Sequence, residues 1–169
     1  MIFVTVGTTY FDELVMEVDR LCRAGVIADR CYMQIGSGKY IPQHADWVRY
    51  LDGLRDVEEQ ADLVICHGGV GSVFELLELN KQFIAAPNRQ VKDDHQADLL
   101  RALESEGWCN CCWALSQLED LLKRQRPCKP YPKDPVLARH LWSELFPDLC
   151  TEGPQRNGRP DAQGSRARR

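Results

Sequence analysis

No apolar run in this 169-residue chain approaches the ~20 residues that cross a bilayer as a helix. Positive charge is also in short supply. The 21 Lys and Arg face 25 Asp and Glu, a net charge of −4, which argues against a general nucleic-acid binder with its basic footprint. Internal repeats are missing. No G-x-G-x-x-G follows the first apolar run, so the nicotinamide-type dinucleotide fingerprint is absent. Gly36-Ser37-Gly38-Lys39 lacks the first glycine of a P-loop, and Tyr40 stands where Ser or Thr would meet magnesium. There is no G-x-S-x-G elbow either, which removes serine hydrolysis as the meaning of His67-Gly68-Gly69.

Cysteine, by contrast, is plentiful at eight residues. Cys22, Cys31 and Cys66 sit inside apolar runs and read as reduced core thiols. The C-x-C-C cluster Cys109, Cys111, Cys112 has only Cys128 close downstream, short of the paired spacing a zinc site uses. Buried or half-exposed strand cysteines, without a metal, are the expectation. Met1–Gly7 is apolar but lacks a basic n-region and a cleavage site, so it reads as a first strand rather than a signal peptide. The expected compartment is the cytoplasm.

Apolar periodicity gives an alternating order of elements. Strands are expected at Met1–Gly7, Arg30–Gly36, Trp47–Leu51, Leu63–Cys66, Phe83–Ala86 and Trp108–Trp113. Helices are expected from Phe11 to Cys22, ended by Gly25, and over Arg55–Ala61, Ser72–Leu79, Asp94–Glu106 and Ser116–Arg124. This is the pattern of βαβ units: an α/β chain with a Rossmann-like parallel sheet flanked by helices. One domain, residues 1–149, is expected to include a Pro-rich connector at 127–135 and a terminal helix at 136–146 that packs back. The Arg-rich remainder, 150–169, has no apolar residues to bury and reads as a disordered tail; solvation and contact with anionic lipid are its two readings.

Parallel sheets bind ligands at the carboxyl ends of their strands. Gly7-Thr8, Gly36-Ser37-Gly38, His67-Gly68-Gly69 and Pro87-Asn88 all lie at such ends and should share one rim. The most telling stretch is Leu63–Cys66 running into His67-Gly68-Gly69-Val70-Gly71-Ser72 and then an apolar helical pattern. A strand, a glycine-rich turn and a helix N-terminus make a site for phosphate, because free N–H groups and the helix dipole favour an anion there.

His67-Gly68-Gly69-x-Gly71-Ser72-x-x-Glu75, Lys81-x-x-Ile84-x-x-Pro87 and Asp94-His95-Gln96 together resemble the C-terminal, donor-binding half of family 28 glycosyltransferases of the GT-B fold. The opening Val4-Thr5-Val6-Gly7-Thr8-Thr9-Tyr10-Phe11-Asp12 is similar to the stand-alone catalytic subunits of two-subunit UDP-sugar transferases. The resemblance covers about residues 1–125. By its opening residues the chain reads first as a bacterial exopolysaccharide glucuronosyltransferase subunit. A GlcNAc transferase subunit for a lipid-linked acceptor is second, and a non-catalytic nucleotide-sensing or scaffold subunit is the reading from another class.

The resemblance implies roles. Glu75 accepts the ribose hydroxyls of UDP, although Ser72-x-x-Glu75 also has capping-box spacing. Gly68, Gly69, Gly71 and Ser72 donate to the diphosphate, an ordinary tight turn being the other reading. Asp94 and Gln96 hold the sugar, with an N-cap as the alternative for Asp94. His95 is either a ligand or a structural polar residue. His67 either orients the loop or faces the phosphates. Gly7, Thr8, Thr9, Gly36, Pro87 and Asn88 line the rim. Lys39, Arg49, Arg89 and Lys92 could offer a cation to a glucuronate carboxylate, a solvated surface charge being the first reading of each. No cofactor and no metal are implied, since helix dipole and backbone donors stabilise the leaving UDP. The general base belongs to the missing half of the cleft. A membrane-anchored, acceptor-binding glycosyltransferase subunit is therefore the expected partner, with a lipid-linked saccharide as acceptor, no nucleic acid, and a peripheral place at the cytoplasmic membrane face.

Overall fold

The computed structural model describes residues 1–90, 94–124, 126–132 and 143, with the backbone alone at 94 and 95. Apart from Ser143, the expected terminal helix at 136–146 lies outside the described residues, as do the tail at 150–169 and Lys92.

Six short strands form one parallel sheet: β1 (Ile2–Thr5), β2 (Cys31–Gln34), β3 (Asp46–Val48), β4 (Leu63–His67), β5 (Phe83–Ala86) and β6 (Asn110–Cys111). Their spatial order is β3-β2-β1-β4-β5-β6. Every pairing is parallel, with Ile2 beside both Cys31 and Leu63, and Val64 beside Phe83. The chain therefore builds outward from β1 to one edge, returns to β4 beside β1, and builds to the other edge. Parallel strands need crossovers, and the intervening helices supply them.

Apolar residues on alternate strand positions feed two cores. On one face Val4, Ile65 and Ile84 pack under α1 (Asp12–Arg23) and α5 (Leu118–Arg124), through Leu14, Val18, Leu21, Leu118 and Leu122. On the other, Phe3, Val64, Cys66 and Phe83 pack under α3 (Val70–Glu78) and α4 (Asp94–Glu106), through Val73, Leu76, Leu100 and Leu103. The short α2 (Leu54–Gln60) joins this second face through Leu54 and Val57. Gly25, at φ 71°, ends α1 in the left-handed region that glycine tolerates. Among the described residues no helix is long and apolar enough to cross a membrane.

Element boundaries differ from expectation at the edges. Only Asn110 and Cys111 pair in the run read as Trp108–Trp113. Glu104 accounts for this: one carboxylate oxygen accepts the Cys111 N–H at 3.0 Å and the other the Trp113 indole N–H at 2.8 Å, closing the sheet edge with a side chain. The cysteines are largely interior, with Cys31, Cys66, Cys109, Cys111 and Cys112 buried and Cys22 and Cys128 partly so.

Candidate functional site

Strand order fixes where a ligand goes. From β1 the chain departs to one edge of the sheet and from β4 to the other, which makes the carboxyl ends of these two strands the topological switch point where open α/β sheets place their ligand crevice. The loops expected to share this rim do meet there. The Ser37 N–H donates to the Thr9 carbonyl at 3.0 Å, and the Asn88 amide donates to the Tyr10 carbonyl at 2.7 Å. Gly68 packs so closely that a Cβ on it would lie 3.4 Å from the Pro87 Cα and 2.7 Å from Leu100 Cδ1.

Helix α3 begins at Val70, two residues earlier than the apolar pattern predicts. Gly69 is its N-cap, in an extended conformation and with no side chain to cap the turn. The first-turn N–H groups of Val70, Gly71 and Ser72 thus have no intrahelical acceptor and point out of the positive end of the helix. Ser72 stands at the third helical position. The Ser72-x-x-Glu75 spacing is therefore not a capping box, and Glu75 is left half-buried one turn further on, without a hydrogen bond among the described residues. An open donor turn followed by a free carboxylate can bind an anion joined to a diol.

His67 is wedged between the first and fourth strand-end loops. A Cβ on Gly7 would come within 2.7 Å of its ring, and one on Gly69 within 2.3 Å. Its Nδ1 is buried with no hydrogen-bond partner among the described residues, and burial holds the imidazole pKa below its ordinary value against a weaker opposing pull from the Thr5 backbone. The ring thus packs against both loops.

Two rim residues are hydrogen-bonded within the fold. In the turn after β2, the Gly36 N–H donates to the Arg49 carbonyl, Ser37 to Thr9, Gly38 to Ile35, and Lys39 to both oxygens of Asp12. Arg49 Nη1 donates to the carbonyls of Gly36 and Gly38 at 3.2 and 2.9 Å. With every N–H in use, Gly36 forms a wall and has no donor for a phosphate. Asn88 is buried, and its Oδ1 accepts the Gln90 N–H while its amide holds Tyr10, so it ties two loops together. Thr8 is exposed at the rim, Thr9 donates its hydroxyl to the Val6 carbonyl, and Pro87 is half-buried. Gln96 is buried in the first turn of α4, whereas the side chains of Asp94 and His95 lie outside the described residues.

Sequence reading missed Asp12, Arg49 and Glu58. Asp12 stood in the opening motif, and Arg49 was weighed only as a ligand cation. Glu58, on the outwardly polar α2, is fully buried with both carboxyl oxygens unpaired, and nothing in its sequence context signals this.

The glycosyltransferase family 28 C-terminal domain matches residues 1–126. The chain is 37% identical over 124 residues to the human UDP-N-acetylglucosamine transferase subunit ALG13, covering 65% of this chain and 11% of the human protein. It is 36% identical over 118 residues to the Myxococcus xanthus UDP-N-acetylglucosamine--N-acetylmuramyl-(pentapeptide) pyrophosphoryl-undecaprenol N-acetylglucosamine transferase, covering 64% of this chain and 30% of that enzyme. It thus spans well under two thirds of either relative. Among solved structures, the NMR structure of ALG13 superposes with a TM-score of 0.60 at 23% identity, covering 86% of this chain and 96% of that one. Acinetobacter baumannii MurG superposes at 0.55 with 18% identity, covering 85% and 43%. At such identities the structural likenesses bear on the fold alone.

Proposed function

The chain belongs to the glycosyltransferase family 28 C-terminal domain family, and from that premise we propose that it is the donor-binding, catalytic subunit of a two-subunit inverting glycosyltransferase. The reading has it move N-acetylglucosamine from UDP to a polyprenyl-diphosphate-linked acceptor. One observation carries it: the uncapped N-terminus of α3 opens into the crevice between β1 and β4, with the unpaired Glu75 one turn behind it. The diphosphate takes the N–H groups of Val70, Gly71 and Ser72 and the Ser72 hydroxyl. Glu75 accepts the ribose hydroxyls. The reading assigns the sugar to the Asp94-His95-Gln96 motif at the start of α4, through Asp94 and Gln96.

As the glycosidic bond to UDP breaks, negative charge grows on the departing diphosphate. The fixed N–H groups and dipole of α3 already face that charge, and this lowers the barrier without a metal. A base that takes the acceptor's proton comes from the partner subunit, which also supplies the membrane anchor and the other wall of the cleft.

Two observations favour N-acetylglucosamine over glucuronic acid, the donor that the opening residues first suggest. The relatives carry UDP-N-acetylglucosamine in their names, one of them as a transferase subunit and one acting on a pyrophosphoryl-undecaprenol acceptor. In addition, two of the four cations weighed for a glucuronate carboxylate are engaged by the protein itself. Arg49 holds Gly36 and Gly38, and Arg89 donates to the Trp113 carbonyl at 3.1 Å.

The test is transfer from UDP-GlcNAc by the assembled complex with wild-type and Glu75→Ala subunits. Loss of transfer by at least tenfold with assembly intact, roughly one charge-assisted hydrogen bond, supports the reading. Transfer within a few-fold of wild type removes Glu75 from the donor site. A complex that binds UDP-GlcNAc yet never transfers it would mark a nucleotide-sensing or scaffold subunit.

A further inference from the structure

Glu58 is a fully buried carboxyl with no hydrogen bond to either oxygen among the described residues, and the site described above does not use it. We infer that Glu58 is a positioning residue for the donor site, its buried carboxyl acting through Glu75 so that nucleotide-sugar binding is coupled to a proton held on Glu58. The inference rests on the reading of Glu75 as a donor ligand.

The surroundings leave a charge on Glu58 without compensation. From α3 the negative charge of Glu75 acts on it, and from β4 the Cys66 thiol, itself pushed well up by burial, offers no cation. On α2 Arg55 lies one turn earlier, but it is half-exposed and paired with Glu59, its Nε 3.2 Å from Oε1. Burial first, and Glu75 second, push the Glu58 carboxyl up to about 7 against the weaker pull of Arg55. A buried acid beside a second carboxylate is relieved by taking up a proton.

Donor binding adds to the same field. A diphosphate at the N-terminus of α3 brings further negative charge to the helix that carries Glu75. That charge raises the proton affinity of Glu58. By reciprocity, a proton on Glu58 raises the affinity for the diphosphate. Donor affinity should therefore fall as pH rises through neutrality, and the residue responsible lies on a helix that contributes no ligand.

Calorimetric titration of the full chain with UDP-GlcNAc tests this, because that donor has no group of its own titrating near neutrality. Wild type and Glu58→Gln are compared from about pH 6 to about pH 8.5, since glutamine mimics the protonated acid. Wild type should bind on the order of fivefold more weakly at the upper end and take up protons on binding near neutrality. Glu58→Gln should be flat across the range and take up none. Parallel pH profiles in the two proteins would overturn the inference and leave the donor reading standing. Absence of UDP-GlcNAc binding by both proteins at every pH would overturn the donor reading and this inference together. Thermal unfolding without ligand guards against a misfolded variant: the advantage of Glu58→Gln should widen as pH rises from about 4.5 to about 7, where the folded chain still holds a proton that the unfolded chain has lost, and level off above that. A difference that stays constant across that window would mean that Glu58 carries no titrating proton.

Discussion

The His67 imidazole fills the space in front of Gly7: a Cβ added there would lie 2.7 Å from its Cε1. Gly7 also sits at φ 65°, where a side chain is strained regardless of room. One ring thereby fixes the relative position of the loops after β1 and β4, the two walls of the crevice.

Gly7→Ala should accordingly be costly on two counts. Left-handed backbone costs roughly 1–2 kcal/mol for a residue with a Cβ, and the ring must shift as well. We expect about 2–3 kcal/mol of lost stability in urea unfolding, together with weakened nucleotide binding. A cost below about 0.5 kcal/mol would show that the ring moves aside freely and positions nothing.

Arg49 separates a wall from a ligand. Its Nη1 holds the carbonyls of Gly36 and Gly38, so Arg49→Ala should destabilise the chain by about 1–2 kcal/mol. The ratio of UDP-GlcNAc to UDP-glucuronate affinity should not change. A selective loss of UDP-glucuronate binding would return Arg49 to the donor site.

What the sequence makes legible follows from how each signal arises. The apolar runs of β1, β4 and β5 and the periodicity of α4 are local. Phe83–Ala86 and Asp94–Glu106 are found where expected. The start of α3 differs from the pattern because Val70 and Gly71 are poor helix formers on propensity alone, while Val73 and Leu76 pack in the second core and the helix extends back to its N-cap at Gly69. A start at Val70 rather than Ser72 is what removes the capping-box role of Glu75. At the rim, residue type showed which loops converge. It could not show that Gly36 and Asn88 would be bonded within the fold, because their partners, Arg49 and Tyr10, are chosen by tertiary structure. Glu58 left no trace because its burial is set by how α2 packs on the second core, which is decided by tertiary structure.

Asp19 gives a pH-dependent prediction away from the crevice. Its buried carboxylate accepts hydrogen bonds from the Tyr40 hydroxyl at 2.7 Å and from the Gln43 and His44 N–H groups at 3.0 and 2.7 Å, and the His44 ring lies 3.2 Å away. Burial pushes its pKa up, but these bonds outweigh burial and hold it below the ordinary 3.8. A depressed carboxyl contributes stability that is present above its unfolded pKa and is lost as pH falls through the folded value. At neutral pH Asp19→Asn should therefore cost about 1–3 kcal/mol, loosening the segment between β2 and β3, and the difference should shrink in acid below about pH 3. Equal stability at neutral pH would mean that Asp19 does not anchor that segment.

Thermal unfolding of the purified chain in parallel with UDP, UDP-GlcNAc, UDP-glucuronate, ADP and NAD tests the donor site most directly. A ligand at about 100 times its dissociation constant adds roughly 2.7 kcal/mol, a shift of several degrees. The account predicts shifts confined to the uridine nucleotides, larger for UDP-GlcNAc than for UDP-glucuronate, and abolished by Glu75→Ala. Equal shifts with ADP or NAD, or uridine shifts that survive Glu75→Ala unchanged, would contradict it.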